Sequence, residues 1–411
     1  MTASVDSSRR RFLLQSLLGA GLLTVGPLSG WHRLAHAIDL SGSLSGLGPL
    51  GEADANGVRL PAGFTSRIVA RAGRHPLGRG LYDWHILPDG GATFATEDGG
   101  WIYVSNSEML LVGGVGALRF AADGTLLDAY PILMGTTLNC GGGPTPWDTW
   151  LSCEEWDGGH VWECDPFGRR LPRIRRALGT FTHEAVAVDP SFQQLYLTED
   201  VGDGCLYRFT PDNYPDLRRG VLEVASVQGD PAVSPANVVW YPVANPNPIL
   251  GGIGPRGKPT RYQVPESTPF DGGEGIWYHD GKVYFTTKGD DSLWVYTPGI
   301  GGGTLELIYR RSPAAPGDIL DGPDNVTVFA PTGEVLVAED GGDMQIVVVN
   351  DQGDLYPLLQ IVGQDNSEIT GPAFTPDGSR LYFSSQRGPS GRGPLGVTYE
   401  IAGPFPTVSP G

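Results

Sequence analysis

The segment LYLTED, residues 195–200, is one of six related segments that decide the predicted fold. Each reads as a short β-strand that ends on a polar or charged residue. The six are YVSNSE (103–108), WLSCEE (150–155), LYLTED (195–200), VYFTTK (283–288), VLVAED (335–340) and LYFSSQ (381–386). Their last residues lie 47, 45, 88, 52 and 46 positions apart. A period of about 45 residues is typical of four-stranded propeller blades, and the one long interval indicates an insertion.

A second motif precedes each of these segments and ends in a tight turn. Its copies are YDWHILPDGG (82–91, divergent), NCGGGPTP (139–146), HEAVAVDP (183–190), GEGIWYHDG (273–281), PDNVTVFAPTG (323–333) and GPAFTPDG (371–378). Strand, turn and strand thus recur six times, which favours a propeller over a β-sandwich or a large barrel. We predict an all-β, six-bladed β-propeller whose last blade is closed by an N-terminal strand at residues 64–73.

Composition agrees with many short strands and narrows the class of partner. The 411 residues include 61 glycines and 35 prolines, too many for long helices. The net charge is −18, which argues against nucleic acid or anionic membranes as partners. An acidic surface also suits a protein that collects hard cations on carboxylates.

The N-terminal sequence SSRRRFLLQSLLGAGLLTVG is typical of a twin-arginine export signal. Its apolar run is short for a membrane span, interrupted by glycine, and followed by the small-residue motif AHA. We predict a signal peptide over residues 1–37, the twin-arginine machinery as a partner, and no stable membrane span. The product is then a periplasmic or extracellular single propeller domain, residues 38–411, with an insertion at about 211–271 between blades 3 and 4.

Acidic residues recur at two positions of the repeat. In a propeller, the start of each first strand and the end of each second strand meet near the central channel. The first position holds Cys140, Glu184, Glu274 and Asp324, with Gly371 in the sixth repeat, and the second holds Glu108, Glu155, Asp200, Lys288 and Asp340. Carboxylates crowded in this way raise one another's pKa unless cations bind them. We therefore predict a metal site at the channel mouth.

The ligand types leave more than one metal open. Carboxylate oxygens suit calcium, whereas a thiolate at Cys140 favours a softer or more Lewis-acidic ion such as iron or zinc. Cys140 can also be a disulfide partner or a buried thiol, and a local bridge between Cys153 and Cys164 is one pairing that the spacing allows. His183 can serve as a ligand or a proton donor, or simply pack.

Five blocks of the sequence resemble the PhoX-type alkaline phosphatase family. They are NCGGGPTPWDTWLSCEEW, THEAVAVDP, YLTEDVGDGCLYRFTPD, GEGIWY and DGPDNVTVFAPTGEVLVAEDGG, and the resemblance covers about residues 82–403. It implies a twin-arginine-exported six-bladed propeller that uses iron and calcium to hydrolyse phosphate monoesters. It also implies that Glu108 is the family's first-blade glutamate, Cys140 its iron-binding cysteine, and Glu155 the second residue of its Glu-Glu pair. Glu184 matches the glutamate of its His-Glu-Gly motif.

One position departs from the family. The family has Arg-Pro-Glu where this chain has Gly272, Gly273 and Glu274. An arginine there would bind phosphate oxygens through two parallel hydrogen bonds. Lys288 or Arg387 is the candidate to replace it, so we predict Cys140, Glu155, Lys288 and Arg387 as catalytic residues.

Three functions from different classes are consistent with these features. The leading prediction is an enzyme, a metal-dependent phosphomonoesterase acting on a small phosphate ester. A calcium-dependent lactonase or esterase is the second, and it would need one calcium and no thiolate. A non-catalytic, calcium-stabilised extracellular binding scaffold is the third, with the insertion as its partner surface.

Overall fold

The computed structural model describes residues 42–249, 257–312, 319–350, 352–391 and 394–406. These residues form 27 β-strands and four short 3₁₀-helices, at Leu44–Gly46, Arg176–Leu178, Thr260–Tyr262 and Gly388–Ser390. The all-β prediction is confirmed. The predicted signal peptide at residues 1–37 lies outside the described residues. No helix among the described residues is long and apolar enough to cross a membrane.

The strands follow one another along the chain in short runs. They are β1 (Val58–Arg59), β2 (Thr65–Arg71), β3 (Pro88–Ala95), β4 (Trp101–Ser107), β5 (Gly113–Phe120), β6 (Leu126–Thr136), β7 (Asn139–Pro144), β8 (Trp150–Glu154), β9 (Val161–Cys164), β10 (Arg173–Ile174), β11 (His183–Asp189), β12 (Gln194–Glu199), β13 (Gly204–Asn213), β14 (Asp216–Gln228), β15 (Ala236–Pro242), β16 (Pro269–Phe270), β17 (Gly273–His279), β18 (Lys282–Thr287), β19 (Ser292–Gly299), β20 (Gly302–Arg310), β21 (Pro323–Phe329), β22 (Glu334–Glu339), β23 (Gln345–Val349), β24 (Leu355–Ile361), β25 (Ile369–Phe374), β26 (Arg380–Ser385) and β27 (Val397–Ala402).

The prediction of a six-bladed propeller is wrong, because the strands pair into five sheets rather than six. Four sheets have four or five strands, in the orders β3-β4-β5-β6, β7-β8-β9-β10, β21-β22-β23-β24-β1 and β25-β26-β27-β2. The fifth has ten strands and contains both β11–β14 and β17–β20. Its two halves are joined by β15, which pairs with β14 on one side and β20 on the other. The insertion thus supplies a strand that fuses two repeats into one sheet.

The N-terminal segment covers the outer edges of the last two sheets. Strand β2 pairs antiparallel with β27, from Thr65 opposite Ala402 to Arg71 opposite Val397. This is the closing strand that the sequence predicts. Strand β1 adds to β24 in the preceding sheet. Both pairings satisfy backbone groups that an exposed edge strand would leave unpaired.

Six inner strands surround one axis. Each of β3, β7, β11, β17, β21 and β25 contacts the next, and β25 contacts β3 again. Glycine permits this close approach. A Cβ on Gly141 would lie 2.6 Å from the Glu184 carbonyl oxygen, and one on Gly275 would lie 2.6 Å from the Val326 nitrogen. The inner strands therefore pack backbone against backbone, and the acidic side chains near their starts converge at one end of the ring.

Apolar side chains between neighbouring sheets hold the ring together. One cluster packs Leu151 and Cys153 of β8 against Leu195, Leu197 and Tyr207 of the next sheet. Each of these residues is at least 99% buried, which removes its apolar surface from water almost completely. Within the described residues all four cysteines are free, so the Cys153–Cys164 bridge that spacing allows is not formed.

Candidate metal centre

In five of the six inner strands, a bulge after the first residue places the side chain of the second at the candidate site. In β3, β7, β11, β17 and β21 the pairing register shifts between the first residue and the fourth. Such a bulge bends the strand and redirects a side chain. The residues so placed are Asp89, Cys140, Glu184, Glu274 and Asp324. In β25 the shift lies between Thr370 and Ala373, at Gly371, so no carboxylate comes from this position.

The first residue after each second strand occupies a matching position. Glu108, Glu155, Asp200, Lys288, Asp340 and Gln386 directly follow β4, β8, β12, β18, β22 and β26. Each backbone N–H donates to a carbonyl at the start of its own inner strand, for example Lys288 to Gly272 at 2.9 Å and Asp340 to Gly322 at 2.9 Å. The six residues are therefore held in equivalent positions beside the inner-strand carboxylates.

These two positions produce four groups of possible metal ligands. The groups are Cys140–Glu155–Glu184, Asp89–Glu108–Glu368, Glu184–Glu274–Asp324 and Asp324–Asp340–Glu368. Within each group the ligand atoms lie within 4.8 Å of one another. Glu184 belongs to both the first and the third group. Glu368 is shared by the second and fourth groups, and Asp324 by the third and fourth. The result is one continuous acidic centre.

Glu184 has the environment expected of a metal ligand. Its residue is completely buried, and neither carboxylate oxygen has a hydrogen-bond partner. Burial raises its pKa well above the usual range, with a further contribution from the neighbouring charge of Glu274. A buried ionised carboxylate is very costly unless it is paired or binds a metal. Glu184 lies in two of the four groups, where a cation would satisfy it.

Burial and neighbouring carboxylates also raise the pKa values of Glu155 and Cys140. Burial raises the pKa of Glu155 to about 9, with added repulsion from Glu108 and Asp200. Burial also raises the pKa of the Cys140 thiol well above its usual range, and the surrounding carboxylates raise it further. A bound cation would reverse both effects, because it favours the carboxylate and the thiolate. The donor set therefore fits metal ions.

Two cationic side chains stand among the carboxylates. Arg387 donates from Nη2 to Glu368 at 2.8 Å and from Nη1 to Asp340 at 3.2 Å. Lys288 Nζ lies among the carboxylates of Glu274, Asp324 and Asp340. Burial alone would raise the pKa of Asp340, but the charges of Lys288 and Arg387 and a hydrogen bond with Glu368 lower it below its usual range.

The structure brings seven of the eight predicted metal ligands into these groups. The exception is Asp200, which adjoins Glu155 without joining a group. His183 packs, with its ring 3.6 Å from that of Phe181 and Nε2 3.2 Å from the Gly179 carbonyl.

Sequence reasoning missed Asp89, Glu368 and Gln386. Asp89 belongs to the motif PDG, which we interpreted as a turn, although it begins β3. Glu368 directly precedes β25 and forms an isolated bridge with Asp340. Gln386 ends the sixth segment, at the position where other repeats have a carboxylate. We did not predict it because an uncharged amide is a weaker candidate for a metal ligand.

Comparison with known proteins identifies the family. The model of the family "Alkaline phosphatase PhoX" matches residues 102–158, 157–293 and 302–388, which is more than half of the chain. The chain belongs to the alkaline phosphatase PhoX family. It is therefore a phosphatase-type hydrolase, and the resemblance noted in its sequence is confirmed. No protein of curated function matches the sequence significantly.

One solved structure supports the fold. Pseudomonas fluorescens PhoX, in complex with vanadate, a transition state analogue, matches with a TM-score of 0.70 and 16% identity. The match covers 88% of this chain and 98% of that chain. A gluconolactonase from Xanthomonas campestris matches with a TM-score of 0.46 and 15% identity, over 86% of this chain and 97% of that one. The second likeness is too weak to support a conclusion about fold or function.

Proposed function

We propose that this chain is a metal-dependent phosphomonoesterase whose metals bind at the acidic centre. The observation that carries the proposal is the buried carboxylate of Glu184, which has no partner and lies beside Cys140 and Glu155. Membership of a phosphatase family indicates the class of reaction, and Cys140, Glu155 and Glu184 provide ligands for an ion. When bound, such ions polarise the phosphoryl oxygens and lower the pKa of the attacking group.

The ligand chemistry divides the centre between two kinds of ion. Cys140, Glu155 and Glu184 combine a thiolate with carboxylates, which suits iron. The groups that contain only carboxylates suit calcium, a hard cation that prefers oxygen. We propose iron at the first group and calcium at carboxylate groups, in line with the resemblance of the motifs to the PhoX type.

Arg387 is the best candidate to contact the phosphate. Its guanidinium has five N–H donors, and its recorded bonds to Asp340 and Glu368 use two. It also lines a polar cavity of about 480 Å³ together with Asp340, Ser367 and Ser390. The side chain is about one-third exposed, so substrate can reach it. We propose that Arg387 orients the phosphate group and that the cavity takes the alcohol part of the ester.

An arginine like that of the family does not fit at position 272 without backbone strain. This residue has φ of 66°, a conformation that residues with side chains rarely adopt. A Cβ there would also lie 3.2 Å from Asp200 Oδ1. The backbone conformation at position 272 therefore favours glycine over arginine. This supports the proposal that another residue contacts the phosphate.

Cysteine substitution tests the proposed function. We expect Cys140→Ser to reduce the turnover of p-nitrophenyl phosphate by about 100-fold or more, because it removes a thiolate ligand. Cys153→Ser is the control, since Cys153 is also a free cysteine, more deeply buried than Cys140, but lies outside the four groups. Full activity in Cys140→Ser would contradict the proposal, as would equal losses in both variants.

We also propose export by the twin-arginine pathway. The support is the sequence SSRRRFLLQSLLGAGLLTVG with its following AHA motif. We expect replacement of Arg9 and Arg10 by lysine to retain the protein inside the cell, as measured by fractionation. Unchanged export of this variant would contradict the pathway without affecting the proposed enzyme activity.

A further inference from the structure

Lys288 reverses the charge at a position that is acidic in four of the six repeats and neutral, at Gln386, in one. The first residue after the second strand is Glu108, Glu155, Asp200 or Asp340 in four repeats. Lys288 holds the same position after β18, with the same backbone hydrogen bond to the start of its inner strand. The chain thus directs an ammonium group toward the place to which its neighbours direct carboxylates.

The Lys288 ammonium is surrounded by carboxylate oxygens. Nζ lies 3.1 Å from Glu274 Oε1, 3.3 Å from Asp324 Oδ2 and 3.1 Å from Asp340 Oδ2. The Glu274 and Asp324 side chains are only 2% and 6% exposed. An ammonium has three N–H donors, and here three carboxylates adjoin them. The donors of Lys288 are therefore used by carboxylates of the protein, whereas Arg387 has further N–H donors that can bind a substrate.

The same carboxylates would otherwise hold a metal. Glu274 and Asp324 form one candidate group with Glu184, and Asp324 and Asp340 form another with Glu368. A divalent ion placed among these oxygens would lie within a few ångströms of Nζ, where two positive charges repel each other strongly in a buried site. Lys288 and an ion therefore compete for the same oxygens.

We propose that Lys288 is a fixed cation that takes the place of one divalent ion in this centre. The inference rests on the metal centre of the proposed function. It assigns the remaining ions to Cys140–Glu155–Glu184 and Asp89–Glu108–Glu368, the two groups that contain none of the three carboxylates around Lys288. It also separates the roles of the two cations, with Lys288 replacing an ion and Arg387 contacting substrate.

Counting bound calcium tests the proposal. We expect Lys288→Met to bind one more Ca²⁺ per chain than the wild-type protein in equilibrium dialysis, since methionine is unbranched, one atom shorter than lysine, and uncharged. Lys288→Arg, which keeps the charge, should bind the wild-type number. Lys282→Met is the matched control, because Lys282 begins the same strand but is exposed to solvent, and its count should also equal the wild-type number.

An unchanged or lower calcium count in folded Lys288→Met would overturn the proposal. If that variant folds only when Ca²⁺ is present, the ion has replaced the ammonium and the proposal is supported. If saturating Ca²⁺ does not restore folding, the ion cannot replace it and the proposal is wrong. The count does not depend on hydrolysis. If Lys288→Met gains a calcium ion but the wild-type protein hydrolyses no phosphate ester, the proposed function is refuted and this inference stands.

Discussion

The side-chain amide of Gln386 donates a 2.6 Å hydrogen bond to the carboxylate of Asp89, although 297 positions separate the two residues. The same nitrogen donates to Glu108 at 2.7 Å. Gln386 follows β26 and Asp89 lies in β3, so the last repeat supports the first directly at the metal centre. The two hydrogen bonds stabilise neighbouring carboxylates that repel each other when both are ionised.

Gln386→Ala should destabilise the metal-stripped protein. Loss of the amide leaves the buried carboxylate of Asp89 and the half-buried one of Glu108 without this donor, and we expect the free energy of unfolding to fall by about 1–3 kcal/mol. Denaturant unfolding in the presence of chelator measures the change. Gln352→Ala at an exposed position is the control and should have little effect. Equal stability of the two variants would show that the Gln386 bonds contribute nothing.

Glu184→Gln should make the protein less dependent on metal. The Glu184 oxygens have no hydrogen-bond partner in the protein, so the proposed function requires a bound ion to stabilise their charge. We expect the fall in Tm caused by chelator to shrink by roughly half or more in this variant. Thermal unfolding with and without chelator provides the measurement. Glu97→Gln at an exposed site should keep the wild-type difference, and the prediction fails if Glu184→Gln keeps it too.

Glu155 and Asp200 should differ in importance although both end an equivalent strand. Glu155 belongs to a ligand group, and Asp200 only adjoins it. We expect Glu155→Gln to lower kcat/KM by about 100-fold or more, and Asp200→Asn by about tenfold. Steady-state kinetics on p-nitrophenyl phosphate separates the two. The reverse order would mean that the ligand groups are assigned incorrectly.

His85 should make stability fall at mildly acidic pH. Its Nδ1 lies 3.0 Å from Tyr82 Oη and its Nε2 3.2 Å from Ser105 Oγ. Burial lowers its pKa from 6.5 to about 3. The unfolded chain therefore binds a proton below pH 6.5 that the folded protein does not bind, and folding is penalised as the pH falls.

The size of this effect is measurable against a variant that does not titrate. Between pH 7 and pH 5 we expect wild-type protein to lose about 1 kcal/mol more stability than His85→Gln, because partial exposure of the ring reduces the effect. Denaturant unfolding at both values gives the difference. Parallel pH profiles for the two proteins would rule out this role of His85.

The sequence predicts local features of the fold well. The segments 195–200 and 335–340 each begin one residue inside the observed strand and end one residue beyond it. Alternating apolar residues and tight turns specify such strands locally, and the recurrence of acidic residues at strand ends predicts most of the centre. The family also follows from these motifs.

Features that depend on distant pairing were not predictable in the same way. The strand β15 lies in the insertion and pairs with β20, more than 60 residues later in the chain. Nothing local in its sequence shows that it joins two repeats into one sheet. Asp89 was hidden because PDG is a common turn motif, and only the bulge in β3 shows that its carboxylate faces the axis.

The measurement that tests the central claim most directly is elemental analysis of the purified protein beside a p-nitrophenyl phosphate assay with and without chelator. The account predicts that iron and calcium are both bound and that turnover is lost on chelation and restored when the ions are returned. Protein without bound metal, or turnover that survives complete removal of metal, would contradict it.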